Sequence, residues 1–337
     1  AMARLGTPTD LATTHDPASP ALASGDDAAT LHVCRREPPR SLCRSRELRT
    51  LLEQTPFDLV QHHSLWLLPL HYAHSAARRR GAPLVIAPRG MMSDWAWAHH
   101  RARKRVAEWL VHPGAFAAAA GWHATSQGEA DEIRRRGFRQ PVCVAPNGVT
   151  LPQPSELTAA RDHWMEALPV LRGRRVALFY SRFHRKKRLR ELIDVWSRHR
   201  SGDWFLLVAG VPEEFSVAEV QGWIDAAGLA DHAAVVDGRG RPSPYGVADL
   251  FLLPTHSENF GLVIAEALAA GVPAVVTDGT PWQGLEENGA GWCVAWSDYT
   301  AALNAALVAD PTELRRRGEI GRAWMAADFT WESSARR

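Results

Sequence analysis

Pro254-Thr-His-Ser-Glu258-Asn-Phe-Gly261-Leu-Val-Ile-Ala-Glu266-Ala-Leu-Ala-Ala-Gly271-Val-Pro273 carries two carboxylates, Glu258 and Glu266, on either side of Phe260-Gly261. An apolar run at residues 248–253 precedes it and predicts a strand. The run after Gly261 is rich in Ala, Leu and Glu and predicts a helix, which Gly271 and Pro273 stop. A second apolar run, residues 274–277, predicts the next strand. Strand, loop, helix and strand in that order form the unit from which parallel sheets are built. Gly261 falls at the start of the helix, where unsatisfied N–H groups and the helix dipole favour an anion. Glu258 stands at the loop mouth and Glu266 one to two turns into the helix. Carboxylates bind sugar or ribose hydroxyls while nearby amides hold phosphate, so the stretch suits a ligand that has both. Two Glu at this spacing are common by themselves, and the surrounding residues supply the specificity.

The rhythm extends in both directions. In the second half, strands are predicted at residues 175–180, 204–209 and 233–236, with helices at 156–167, 189–198 and 217–227. In the first half, strands are expected at 30–33, 57–60, 83–87, 121–125 and 142–145. A single basic helix is expected at 98–109. Residues 7–30, rich in Thr, Asp, Ala, Pro and Ser, read as a loop or poorly ordered arm. Pro152 and Pro154 mark a linker, which places a domain boundary near residue 150 and gives domains 1–149 and 150–337.

Composition narrows the classes. The 337 residues are enough for two domains, and 46% are hydrophobic. Lys and Arg number 39 against 37 Asp and Glu, a net +2 that does not point to nucleic acid. Cys34, Cys43, Cys143 and Cys293 are scattered with no Cys-x-x-Cys pair, so neither a zinc site nor a disulfide framework is indicated. Reduced thiols and the lack of a visible signal peptide give a cytoplasmic expectation. No run of eighteen apolar residues suggests a membrane-spanning helix.

The Glu258 stretch resembles the Glu-x7-Glu motif of retaining GT-B glycosyltransferases of family 4. The match takes in the Pro-Thr before it, the Phe-Gly within it and the Glu-Ala-Leu-Ala-x-Gly-x-Pro after it. The resemblance implies an α/β fold of GT-B type, with two Rossmann-like domains facing across a cleft. The first would be acceptor-side and the second would bind a nucleotide sugar. Ser181-Arg182-Phe-His-Arg-Lys186-Lys187 is similar to the family's Gly-Arg-x-x-x-x-Lys pattern, with Ser181 in place of the usual Gly. It implies that Arg182 and Lys187 hold the donor diphosphate. Two fixed cations can stabilise a departing pyrophosphate without a metal, so no metal and no cofactor are expected. A solvated basic turn is the alternative, since Arg185, Lys186, Arg188 and Arg190 crowd the same segment.

Further roles follow from the resemblance. Glu258 would act with these cations at the donor sugar, and Glu266 would bind the ribose. Asn259, Phe260, Gly261 and Leu262 would line the donor site, and Gly238 and Arg239 would approach the base. Thr280-Pro281-Trp282 resembles a loop of bacterial surface-polysaccharide transferases, with Gly284 where relatives often carry Glu. Trp282 is open to a packing or a binding role. In the first domain, Gln61-His62-His63-Ser-Leu-Trp66, Ala87-Pro-Arg89-Gly90-Met-Met and His123-Ala-Thr-Ser126-Gln-x-Glu129 resemble segments of the same subset. They make His63, Arg89 and Ser126 acceptor-side or donor-facing candidates.

The implied partners are a nucleotide sugar and a glycan or lipid-linked glycan acceptor in polysaccharide biosynthesis. Trp95, Trp97, Arg101, Arg103, Lys104, Arg105 and Trp109 form a basic, aromatic stretch with two readings. One is a helix on the inner membrane face; the other is a solvated basic face with Trp packed inward. The resemblance covers residues 57–331, without the family's first strand and Gly-Gly loop or its final crossing helix. A non-catalytic GT-B partner, or a subunit that only binds the nucleotide sugar, is therefore the rival reading.

Overall fold

The computed structural model describes residues 2–18, 28–98, 101–199 and 202–337, with backbone alone at Trp95, Ala98, Arg101, Ala102, Arg103 and Arg105. Contacts divide the chain into two compact units. One is Ala1–Pro146 with Ser334–Arg337, and the other is Asn147–Ser333.

In the first unit, β1 (Asp10–His15) pairs in parallel with β2 (Thr30–Arg35). A second, four-stranded parallel sheet has the order β3-β4-β5-β6, formed by Val60–His63, Leu84–Ala87, Gly121–Ala124 and Val142–Val144. Its core gathers Leu70, Leu84, Ile86, Met92, Phe116, Trp122 and Ile133.

Several expectations are corrected here. Residues 7–30 are not a loop throughout, because Asp10–His15 is a strand; residues 19–27 lie outside the described residues. The strand expected at 57–60 runs instead over Val60–His63, whose ladder partners are Leu84–Ala87. The apolar cluster Phe57 to Val60 marks its entry, and the register is set by the neighbouring strand. The single basic helix is two helices, Asp94–Ala98 and Arg101–Leu110.

The second unit has one six-stranded parallel sheet of order β12-β11-β10-β7-β8-β9. Its strands are β7 (Arg175–Phe183), β8 (Trp204–Pro212), β9 (Ala233–Asp237), β10 (Leu250–Leu253), β11 (Ala274–Thr277) and β12 (Gly291–Val294). Every residue of β10 and β11 is buried. A parallel strand covered on both faces requires such unbroken apolar runs. Helices Leu189–Trp196, Val217–Ala226, Leu262–Ala269 and Tyr299–Val308 bury Leu192, Ile193, Val220, Ile224, Ile264, Leu268 and Leu303 in its core.

From β7 the chain moves outward through β8 and β9. It then returns to the other side of β7 and continues through β10, β11 and β12. The order reverses between β7 and β10, and at such a switch point the connections diverge and leave a crevice at the strand C-termini. The strand expected at 175–180 extends to Phe183, paired with β8 as far as Pro212. Arg182 is therefore on the strand and not in the loop after it.

Candidate functional site

Both motifs of the second unit end at this switch point. After β7, His184 caps the turn Arg185–Lys187, its Nδ1 accepting from the Lys186 N–H (3.0 Å). Lys187 is turned inward and is only 5% exposed. Its ammonium makes an ion pair with Glu258 Oε1, from the loop after β10. The two loops are joined by backbone as well: the His256 N–H donates to the Lys186 carbonyl (2.8 Å). The buried Thr255 hydroxyl lies 3.1 Å from the same oxygen.

On the other side, the Glu258 N–H donates to the Gly279 carbonyl (2.8 Å), and Thr277 Oγ1 to the Thr255 carbonyl (2.5 Å). A Cβ on Gly279 would come within 2.3 Å of the His256 carbonyl oxygen, so the β10 and β11 loops pack backbone to backbone. Glu258 is thus fixed from three directions.

Gly261 caps the helix Leu262–Ala269 with φ +78°. An added Cβ would lie 2.9 Å from Ile264 Cδ1 and 3.4 Å from Glu258 Cγ. Only glycine combines that dihedral with that space. In the first turn beyond it the Ile264 N–H donates to the Gly261 carbonyl (2.8 Å), and the N–H groups of Leu262 and Val263 are at positions a helix leaves without an internal acceptor. Beneath the turn, Trp282 Nε1 donates to the Phe260 carbonyl (2.5 Å), and its ring packs on Phe260 and Phe329 at 5.3 and 5.1 Å. Trp282 is 1% exposed, so of its two readings the structure shows packing.

Glu266 is one turn further along. The Tyr245 hydroxyl donates to its Oε2 (2.9 Å), and the Tyr180 ring meets Tyr245 edge-on at 5.5 Å. Burial pushes the Glu266 carboxyl above its usual range, partly offset by the tyrosine hydrogen bond. Burial, reinforced by the Glu266 charge, raises both phenols, Tyr245 strongly. The Tyr245 hydroxyl is thus a fixed donor to the Glu266 side chain.

Three other cations of this edge, Arg182, Arg185 and Arg239, also carry carboxylate partners. Arg182 Nη1 lies 2.7 and 2.9 Å from the two oxygens of Glu213. Arg185 binds Glu214, whose Oε2 also accepts the Arg185 N–H (2.9 Å). Arg239 Nε lies 3.0 Å from both oxygens of Asp237, next to Gly238. Hydrogen bonds from Arg185 and Arg239 hold Glu214 and Asp237 below the usual carboxylate range.

In the first unit, Arg89 Nε donates to His63 Nδ1 (3.0 Å) at the C-terminal edge of β3 and β4. Burial and the Arg89 charge lower the His63 pKa to about 4, so the ring is neutral and can accept. Ser64, Trp66 and Arg89 have φ of +79°, +67° and +54°. Such dihedrals are uncommon for residues with a side chain and cluster at functional edges. Glu129 holds the Arg89 turn: its Oε1 accepts the Gly90 N–H (2.6 Å), and its Oε2 accepts the Thr125 N–H and hydroxyl at 2.7 and 2.9 Å. The Ser126 hydroxyl accepts from the Glu129 N–H (3.2 Å) and caps the helix Gln127–Arg135.

Residues 1–148 match the family model described as a glycosyl transferase 4-like domain, and residues 160–324 the model of glycosyl transferases group 1. The chain belongs to the GT-B glycosyltransferases. It is 34% identical over 143 residues to the lipopolysaccharide core biosynthesis mannosyltransferase LpsB of Rhizobium meliloti, a match covering 40% of this chain and 41% of that protein. It is 26% identical over 340 residues to the D-inositol 3-phosphate glycosyltransferase of Nocardia farcinica, covering 89% of this chain and 70% of the relative. Among solved structures, sucrose-phosphate synthase from Thermosynechococcus elongatus superposes with a TM-score of 0.74 at 20% identity, covering 99% of this chain and 88% of that one. Anabaena HepE, solved in complex with UDP and glucose, has a TM-score of 0.73 at 19% identity, covering 92% and 84%.

Within this GT-B chain, the second unit brings Arg182, Lys187, Gly238, Arg239, Glu258, Phe260, Gly261 and Glu266 to one edge of one sheet. His63, Arg89 and Ser126 belong to the first unit. Sequence reasoning missed Tyr180, Tyr245, Glu213 and Glu214. Two adjacent Glu directly after a buried strand, level with a strand-end Arg, were a usable signal. Tyr245 offered none, because a 3-10 turn far from Glu266 in sequence presents it.

Proposed function

We propose that this protein transfers a sugar from a nucleoside diphosphate sugar to a glycan or lipid-linked glycan acceptor with retention, as a family 4 enzyme of polysaccharide assembly. The observation that carries this reading is the Lys187–Glu258 ion pair, which joins the two motif loops across the switch point. Arg182 and Lys187 hold the donor diphosphate together with the first-turn N–H groups beyond Gly261. As the glycosyl–oxygen bond breaks, its electron pair passes to the diphosphate oxygen. Fixed cations stabilise that charge without reorganising. The acceptor hydroxyl oxygen forms the new bond to the anomeric carbon, and its proton passes to the departing diphosphate oxygen.

Glu258 faces the donor sugar, and Glu266, oriented by Tyr245, accepts from the ribose hydroxyls. Asn259, Leu262, Gly238 and Arg239 line the nucleotide. In the first unit, His63 and Arg89 are the acceptor-side candidates. A thermal-shift screen against UDP-, GDP- and ADP-sugars tests donor binding, since a ligand of the folded state raises the melting temperature by mass action. Release of the nucleoside diphosphate with acceptor present, and the product anomer read by NMR, test transfer and retention. A donor that binds but is never consumed, across acceptors of both classes, would make the chain a nucleotide-sugar-binding subunit.

A further inference from the structure

The helix Arg101–Leu110 has two unlike sides. Its inner side is tied to the first unit: Lys104 bonds the Ala96 carbonyl and sits 5.7 Å over the Trp66 ring. Trp66 in turn packs on Trp97 at 5.3 Å and on Phe116 at 5.5 Å, and Arg136 covers Trp97 at 5.0 Å. Of the tryptophans in this stretch, Trp97 is therefore packed inward. Trp109 is not: it is 74% exposed, with Val106 at 54% and Leu110 at 61%. These three are spaced i, i+3 and i+4, so they form one apolar stripe on one helical face. Arg101, Arg103 and Arg105 belong to the same helix, and their side chains lie outside the described ones.

We infer that this helix lies on an anionic lipid surface, with Val106, Trp109 and Leu110 at the headgroup–acyl boundary and its basic sequence supplying the attraction to anionic headgroups. Solvated basic residues alone would not explain three large apolar side chains held in water on the same helix. A second copy of this chain is the weaker occupant. A two-fold contact would set this cationic helix against itself, and charged residues are depleted at the cores of protein interfaces. An anionic bilayer matches both properties. Amphipathic basic helices bind in the interface plane, tryptophan favours that level, and anionic headgroups attract a polybasic segment. No helix among the described residues is long and apolar enough to cross a membrane, so the contact is a surface one. The inference stands on the first unit and does not depend on the donor reading.

The test is co-sedimentation of the whole chain with phosphatidylcholine vesicles, with and without phosphatidylglycerol. The expected result is binding to the anionic vesicles only, reduced by salt. The double variant Trp109→Ser, Leu110→Ser should lose about tenfold or more in vesicle affinity. Arg103→Glu with Arg105→Glu should abolish the preference for anionic lipid. Both should keep the wild-type circular dichroism and the wild-type response to nucleoside diphosphates, which separates loss of docking from loss of fold or of the donor site. Three outcomes would overturn the inference. The wild type could ignore anionic vesicles, or the Trp109, Leu110 variant could sediment like the wild type. The wild type could also prove to be a dimer that this variant splits, with no lipid binding.

Discussion

In the proposed function Lys187 and Glu258 carry the chemistry of the second unit: Lys187 is buried, Glu258 is largely shielded, and each is the other's counter-ion. A buried pair is costly to break from one side. A donor diphosphate would replace one anion by another at Lys187 and leave Glu258 to turn to the sugar. Lys187→Ala should weaken nucleoside diphosphate binding by about 1.5–3 kcal/mol, the range for a hydrogen bond to a charged group. Calorimetry with unchanged affinity would remove the clamp. Glu258→Gln keeps the shape but lifts the competing charge from Lys187, so it should tighten bare nucleoside diphosphate binding while sugar transfer falls. Glu266→Gln removes the charge on which the proposed ribose bond rests and should weaken bare nucleotide and nucleotide sugar alike. Equal effects of the two Gln variants on bare-nucleotide affinity would refute the division of roles.

At the scale of elements, the helix Leu262–Ala269 begins on a left-handed glycine wedged under Glu258 and above Trp282. Gly261→Ala adds a Cβ in a dihedral that costs an L-residue roughly 1–2 kcal/mol, and it meets Ile264 besides. We expect a lower unfolding midpoint in urea together with weaker nucleotide binding, since the same turn presents the first-turn N–H groups. A variant with wild-type stability would show that the helix start can shift without cost. The strand and helix rhythm of this region was legible because fully buried parallel strands must be apolar throughout. The extension of β7 to Phe183 was not. Ser181 and Arg182 are polar, and only the ladder to β8 shows that they continue the strand.

At the scale of the whole molecule, acid should weaken the first unit through His62. Burial first, then the neighbouring His63 and His112, lowers its pKa from 6.5 to about 4. The folded state therefore binds the proton less readily than the unfolded chain. Its contribution to stability is complete above pH 6.5, is lost as pH falls from 6.5 to 4, and levels off below. One such proton costs at most about 1.4 kcal/mol per pH unit in that window. His62→Phe should flatten the decline in urea-unfolding free energy there, and a decline as steep as wild type would locate the acid sensitivity elsewhere. Nucleotide binding, by contrast, should slow hydrogen exchange at residues 182–187 and 258–266 of the second unit.

Residue order alone determined the two-part α/β plan and five of the six strands of the second unit; it did not mark the edge strand Gly291–Val294, which is only partly buried. Through the resemblance of their segments to the family's motifs, it also marked Arg182, Lys187, Glu258 and Glu266 as the residues to watch. Tertiary structure decided which charges meet. Glu258 lies far along the chain from Lys187, Glu213 from Arg182 and Tyr245 from Glu266, and no local pattern encodes a pairing made by loops from different strands. It also decided which tryptophan of the basic stretch is core and which is surface. Trp97 and Trp109 are alike in sequence context, and only packing against Trp66 distinguishes them.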